Sequence, residues 1–292
     1  MKISNFKVLV LGSTGLLGST LSPFLSSRGH LVITHGRSAE AQYKTDFSDH
    51  DNAHQLLENV KPEVIVNLVG LTDVDNCETN PNQAYLTNVR VVENITDWIK
   101  HKKTKCHLVH ISSDQIYDGL GPHLESDVTL TNYYAFSKYA GELSAKTIPS
   151  TILRTNFIGR SHCVKRTSLS DWLFSALSNN RQIQVFEDVL FSPMSTTSLT
   201  AMIELCIQMQ PIGVFNLGSQ GGMSKADFAF AFAKEINLST TTISRTKTNQ
   251  VSFLKTYRPK DMRLDSSKFE NTLGIKLPEL SNLIQQIAHE YK

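Results

Sequence analysis

The chain has 292 residues, 40% of them hydrophobic, enough for one large core or two modest ones. Twenty-nine Lys and Arg against 27 Asp and Glu leave a formal charge of +2 without a basic stripe, so nucleic acid is not expected as a partner. No apolar run approaches the roughly 20 residues that cross a bilayer, and Cys77, Cys106, Cys163 and Cys206 lack CxxC spacing, so the expectation is a cytoplasmic protein with reduced thiols and no membrane partner.

Lys7-Val8-Leu9-Val10-Leu11 reads as a strand buried on both faces. It runs into Gly12-Ser13-Thr14-Gly15-Leu16-Leu17-Gly18, then a helical pattern to about Arg28 and a second strand at Leu31-Val32-Ile33-Thr34, completing a βαβ unit. Glycines at this turn let a pyrophosphate approach backbone N–H groups at a helix N-terminus, where the dipole favours an anion, so Gly12 to Gly18 are candidate cofactor contacts. An acid after the second strand would suit the ribose hydroxyls of NAD, whereas Arg37 and Ser38 offer a cation and a hydroxyl for a 2′-phosphate. NADP(H) is the expected cofactor; the competing readings make Arg37 an ordinary loop residue or the site dual in specificity. Asp46 and Phe47 extend the candidate cofactor contacts, with Asp46 either at the adenine edge or capping a helix from about Asp49 to Val60.

Val64 to Val69 is the next buried strand, and Val69 and Gly70 stand at its C-terminal end, where doubly wound sheets bind ligands. Thr72 and Asp75 follow as candidate substrate contacts. Asp73, Asp75 and Glu78 invite a metal or acid–base reading, but their spacing suits a helix start, where acids offset the dipole, and that reading is preferred. A long amphipathic helix is predicted from about Pro81 to Lys100, with Asn88 either placing a catalytic lysine through water or acting as a satisfied helix amide. His107 to Ile111 is a further strand, followed by Ser112-Ser113-Asp114-Gln115. His107, His110, His123 and His162 make no HxxxH or HExxH pattern, and no metal is assigned.

Tyr134 and Lys138 are four apart, so on a helix they share one face. A phenol with a reference pKa near ~10 becomes a useful acid at neutral pH when an ammonium stabilises its phenolate. Ser113, on the sheet edge of the glycine turn, could polarise a carbonyl that Tyr134 protonates.

Together these residues resemble the extended short-chain dehydrogenase/reductases, and within them the dTDP-4-dehydrorhamnose reductase group. The resemblance rests on Gly12 to Gly18, Asn67 with Thr72 to Glu78, Ser112 to Gly119 and Tyr134 to Glu142. It continues through Arg154-Thr155-Asn156-Phe157, Phe191 to Ser195, Arg258-Pro259 and Leu273-Gly274. It implies an α/β chain: an NADP-binding Rossmann domain with a doubly wound parallel sheet over residues 1–154, and a smaller α/β substrate-binding region over 155–292 that returns part of its chain to the sheet. The implied activity is NADPH-dependent reduction of the 4-keto group of a nucleotide-linked 6-deoxyhexose, with Tyr134 as proton donor, Lys138 lowering its pKa and holding the cofactor ribose, and Ser113 polarising the ketone. Asp114, Gln115, Asn156 and Phe157 join the implied substrate contacts.

Three departures stand out. Thr20 occupies the place of the glutamate linked to a metal-bridged dimer, so no magnesium requirement is expected. Gln115 stands where the group has Tyr, and Phe157 where Trp is common; both positions set substrate selectivity. The resemblance also leaves open a nucleotide-sugar 4-epimerase, a non-catalytic NADP-binding regulator like the subunit of methionine adenosyltransferase, and a homodimer through residues 81–100 and 133–147.

Overall fold

The computed structural model describes residues 4–37, 40–163 and 166–292. The chain divides into two compact units: Met1–Ser113, Tyr133–Leu153 and Thr200–Phe215 form the first, and Asp114–Asn132, Arg154–Leu199 and Asn216–Lys292 the second. Relative to a single cut at 154/155, residues 114–132 fall with the second unit and 200–215 with the first.

The first unit opens with β1 (Lys7–Leu11), α1 (Gly18–Ser27), β2 (Leu31–His35), α2 (His50–Val60) and β3 (Val64–Asn67). After α3 (Val74–Thr79) and α4 (Pro81–Tyr85) come a π-helical turn at Leu86–Arg90 and α5 (Val91–Lys102), then β4 (His107–Ile111), α6 (Tyr133–Ala145) and β5 (Ser150–Thr155). The second unit begins with β6 (Phe157–Ile158), α7 (Leu169–Ser178), β7 (Ile183–Phe186), β8 (Leu190–Phe191) and β9 (Met194–Ser195). The chain returns to the first unit through α8 (Thr196–Met209) and β10 (Gly213–Leu217). β11 (Met223–Ser224), α9 (Lys225–Glu235), β12 (Ile243–Thr246), α10 (Ser267–Leu273) and α11 (Leu280–His289) complete the second.

The main sheet runs in the order β10-β5-β4-β3-β1-β2, with β1 flanked in parallel register by β2 and β3. Chain order therefore reverses at β1, the switch point at which a doubly wound sheet opens a crevice beyond its strand ends. Leu9, Leu11, Ile65 and Leu108 are fully buried and pack with Ile95, Trp98 and Ile152 into one core. The second unit has its own core, in which Leu173, Phe191, Phe228, Phe232 and Ile287 cluster beside the parallel β7–β12 pair.

One prediction needs correction. The segment from Pro81 is not a continuous α-helix: one π turn interrupts it at Leu86–Arg90. The buried Asn88 amide explains the interruption. Its Oδ1 accepts from Leu71 N at 2.7 Å, and its Nδ2 donates to Leu71 O at 3.1 Å and Ser137 Oγ at 2.8 Å. Three tertiary bonds on one side chain outweigh the small cost of an extra residue in the turn. α6 packs against the same point, where a Cβ on Gly141 would lie 2.4 Å from Asn88 O.

Candidate active site

At the end of β1 the N–H groups of Gly12 and Ser13 both donate to His35 O at 2.9 Å, and the Ser13 hydroxyl adds a 3.0 Å bond to the same oxygen. The turn is thereby pinned to the end of β2. Gly12 has φ +83°, and a Cβ on Gly18 would lie 2.3 Å from Gly12 O, so neither position accepts a side chain. α1 starts at Gly18 with no side-chain cap and no acid in its first turn. The N–H groups of Ser19, Thr20 and Leu21 bond back to Gly15 O and Leu17 O, so what fits the pyrophosphate of a dinucleotide is the uncapped positive end of the helix dipole and the close approach that the glycines leave open. Thr14 Oγ1 lies against Gly36, where a Cβ would meet it at 2.6 Å, and the next residue, Arg37, is exposed at the same end of β2. Ser38 lies outside the described residues.

Asp46 is exposed and closes a turn, accepting from Ser48 N at 2.9 Å and Ser48 Oγ at 2.7 Å. It does not cap α2; Asp49 does, accepting from Asn52 N at 2.8 Å. The ring of Phe47 is buried in the core, edge-on to His35 at 4.8 Å, and its carbonyl accepts from Asn94 Nδ2. Its side chain packs the core and offers no face to a cofactor.

α6 carries the chemistry. Tyr134 and Lys138 are both buried, one turn apart, and Ser113 is buried just beyond β4. Lys138 Nζ donates to Ile111 O at 2.8 Å, which sets the ammonium at the C-terminal end of β4, two residues before Ser113. A methyl on Gly70 would touch both Asn88 Oδ1 at 3.5 Å and Lys138 Nζ at 3.8 Å, so Gly70, Asn88 and Lys138 share one small space. Burial lowers the Lys138 pKa to about 8, against the pull of the Glu142 carboxylate, which favours the ammonium. Glu142 is itself buried and accepts from Ser112 Oγ at 2.5 Å.

Beside the Glu142 carboxylate, the other titratable neighbours of Lys138 are neutral. His110 is fully buried with its pKa held well below the usual histidine range, first by burial and then by the Lys138 charge, and its Nδ1 lies 3.2 Å from Asn67 Nδ2. Burial raises the Cys77 thiol to about 11, with Asp73 and Glu78 adding to the effect, so Cys77 is an inert thiol that donates weakly to Leu71 O. Asp73 is the N-cap of α3, accepting from Asn76 N at 3.0 Å, and Glu78 accepts from Tyr133 N at the start of α6. Asp75 sits half-buried in the first turn of α3, with Thr72 exposed before it. These acids serve helix starts, as their spacing suggests.

In the second unit Asp114 is buried and accepts from Asn156 Nδ2 at 2.8 Å, and Phe157 begins β6. Gln115, Lys225, Arg258, Phe186 and Met262 line a cavity of about 200 Å³. Burial lowers the Lys225 pKa, Asp114 favours its charge and Arg258 opposes it. Arg154 is buried for a structural purpose, its guanidinium donating to Tyr117 Oη and Glu125 O at 2.7 Å each.

The description of the RmlD substrate binding domain family matches residues 6–292. The chain belongs to that family. It is 25% identical to the dTDP-4-dehydrorhamnose reductase of Shigella flexneri over 297 residues, 97% of each chain. The crystal structure of a hypothetical dTDP-4-dehydrorhamnose reductase from Sulfolobus tokodaii superposes with a TM-score of 0.83 at 28% identity, over 93% of this chain and 96% of that one. The dTDP-4-dehydrorhamnose reductase of Bacillus anthracis, solved in complex with NADP, shares the fold with a TM-score of 0.87 at 21% identity, over 98% and 100% of the two chains.

For this RmlD-family chain, the sequence reading missed two groups, His110 and Lys225. His110 lies in an apolar strand, where nothing distinguishes it from His107 until the fold sets it near Lys138. Lys225 follows Ser224, the N-cap of α9, which is a recognisable helix-start pattern; its pairing with Arg258 across a cavity is long-range and leaves no local trace.

Proposed function

We propose that this protein uses NADPH to reduce the 4-keto group of a nucleotide-linked 6-deoxyhexose, a step of nucleotide-sugar biosynthesis. The observation that carries the reading is the burial of Tyr134 and Lys138 one turn apart on α6, with the Lys138 ammonium held at the strand end that leads into Ser113. Lys138 stabilises the phenolate of Tyr134, so Tyr134 can pass its proton to the ketone oxygen as charge develops there. Ser113 donates to the same oxygen and polarises the carbonyl. NADPH, held at Gly12 to Gly18 with Arg37 toward its 2′-phosphate and Val69 and Gly70 along the strand edge, supplies the hydride when bound. Asn88 fixes the loop at Leu71 and the α6 hydroxyl of Ser137, which keeps Lys138 in register with Tyr134.

In this reading Lys225 and Arg258 hold the pyrophosphate of the substrate, and Gln115, which lines the same cavity, selects the sugar or base. Asn156 is oriented by Asp114 for the same task, with Phe157, Thr72 and Asp75 as further contacts.

The test is oxidation of NADPH with dTDP-, UDP-, GDP- and CDP-linked 4-keto-6-deoxyhexoses, with product mass measured, in wild type and Tyr134→Phe. One sugar nucleotide should be reduced in step with NADPH consumption, and the variant should lose on the order of a thousandfold in turnover while still binding NADPH. Interconversion of sugars without net NADPH loss would replace reduction by epimerisation. NADPH binding with no sugar chemistry would leave a regulatory role.

A further inference from the structure

Outside the active site, α2 and α5 bring together His50, His54 and Asp97. His50 Nε2 lies 3.2 Å from Asp97 Oδ2, and His54 Nε2 lies 3.4 Å from the same oxygen. With metal–ligand bonds of about 2.0–2.2 Å at tetrahedral angles, two ligands of one zinc ion stand about 3.3–3.5 Å apart. The three ligand atoms all lie within 4.8 Å of one another, so small side-chain rotations close the set.

Hydrogen-bond bookkeeping points the same way. His50 Nδ1 lies 3.0 Å from Asp51 Oδ1, while its Nε2 faces the Asp97 carboxylate. A neutral imidazole donates from one nitrogen only, so with Nδ1–H on Asp51 the Nε2 lone pair faces an oxygen; the hydrogen bonds to Asp51 and Asp97 raise the His50 pKa, and a metal ion at Nε2 would take the place of that second ring proton. An Asp–His pair of this kind also orients metal-bound histidines. His54 Nε2 is buried and makes no hydrogen bond. His101 Nδ1 hydrogen-bonds the main-chain O of Asp97 at 3.0 Å and lies 3.0 Å from its Oδ1, which places a second imidazole beside the carboxylate. The two helices are already locked together one turn further along, where Trp98 Nε1 donates to Glu58 Oε1 at 2.7 Å and Lys102 pairs with the same oxygen at 3.2 Å. The cluster is therefore held in place before any ion arrives.

We propose that His50 Nε2, His54 Nε2 and the Asp97 carboxylate bind a divalent transition-metal ion of the zinc type. Water fills the fourth position, His101 supports Asp97, and the ion acts as a clip between α2 and α5. Mixed imidazole and carboxylate donors favour such an ion over magnesium or calcium, which prefer all-oxygen shells. The sequence carries the cue as His-x-x-x-His at positions 50 and 54, on one helix face, with Asp97 and His101 at the same spacing on the other helix. The site takes no part in the proposed reduction, so its test is independent of that reading.

The probe is zinc chloride, titrated by calorimetry at about pH 8, where protons compete weakly for histidine, into chelator-stripped, tag-free full-length protein. Wild type should bind one equivalent and melt at a higher temperature with zinc. His54→Ala and Asp97→Ala should each weaken binding at least about tenfold, with unchanged far-ultraviolet dichroism and unchanged NADPH affinity. Absence of saturable zinc binding by wild type, or equal affinity in wild type and both variants, would overturn the proposal.

Discussion

The candidate active site of the first unit and the cavity of the second arrange positive charge differently: one buried cation in the first, two cations side by side in the second. Lys138 is buried beside the neutral imidazole of His110 and thiol of Cys77, with the Ile111 carbonyl as hydrogen-bond partner, and burial brings its pKa down to about 8 against the pull of the Glu142 carboxylate. Burial lowers the Lys225 pKa as well, but Lys225 lines its cavity with a second cation, Arg258, and Asp114 favours the Lys225 charge. A proton-transfer site needs one cation whose charge is finely poised, because its work is to set the acidity of a neighbour. A site that grips a pyrophosphate needs several cations that remain charged. Under the proposed function this difference corresponds to chemistry in the first unit and recognition in the second.

The sharpest way to break that division is to remove the second unit's cations. Lys225→Met combined with Arg258→Met should raise KM for the sugar nucleotide about a hundredfold and change kcat by no more than about threefold, the pattern of lost ground-state binding. Steady-state kinetics with the substrate found in the panel reads it directly, and a matching collapse of kcat would move these residues into the chemistry.

A smaller effect tests the dryness of the first unit. Burial lowers the pKa of His107 to about 4, and its Nε2 lies 2.8 Å from Thr151 Oγ1. The unfolded chain binds a proton at this histidine below about pH 6.5 and the folded chain only near 4, so stability falls as pH drops through that window. From pH 7 to pH 5 the loss attributable to His107 should be about 2 kcal/mol, seen as a lower denaturant midpoint, and His107→Gln should flatten the dependence. An unchanged slope in the variant would locate the acid sensitivity elsewhere.

How much of this was legible in the sequence follows the range of the interactions. The strand–glycine–helix start at Lys7 to Gly18 and the four-residue spacing of Tyr134 and Lys138 are local, so period and turn chemistry disclosed them. The π turn at Leu86–Arg90 was hidden, because it arises from bonds that Asn88 makes to Leu71 and Ser137, residues distant in the chain. The burial of the Phe47 ring was hidden for the same reason: it is decided by the packing of α5 and β2, not by its neighbours in sequence. The interleaving of the two units at residues 114–132 and 200–215 is likewise a property of the whole topology.

The most direct test of the account is the pH dependence of kcat/KM for wild type beside Lys138→Met, because kcat/KM reports groups of the free enzyme. The Lys138 ammonium is present below its folded pKa and lost above it, so wild-type kcat/KM should fall as pH rises through about 8, and the variant should be slow with no such limb. A wild-type profile that stays flat through that range, or a variant that keeps the same falling limb, would contradict the role of Lys138 as the cation that makes Tyr134 an acid.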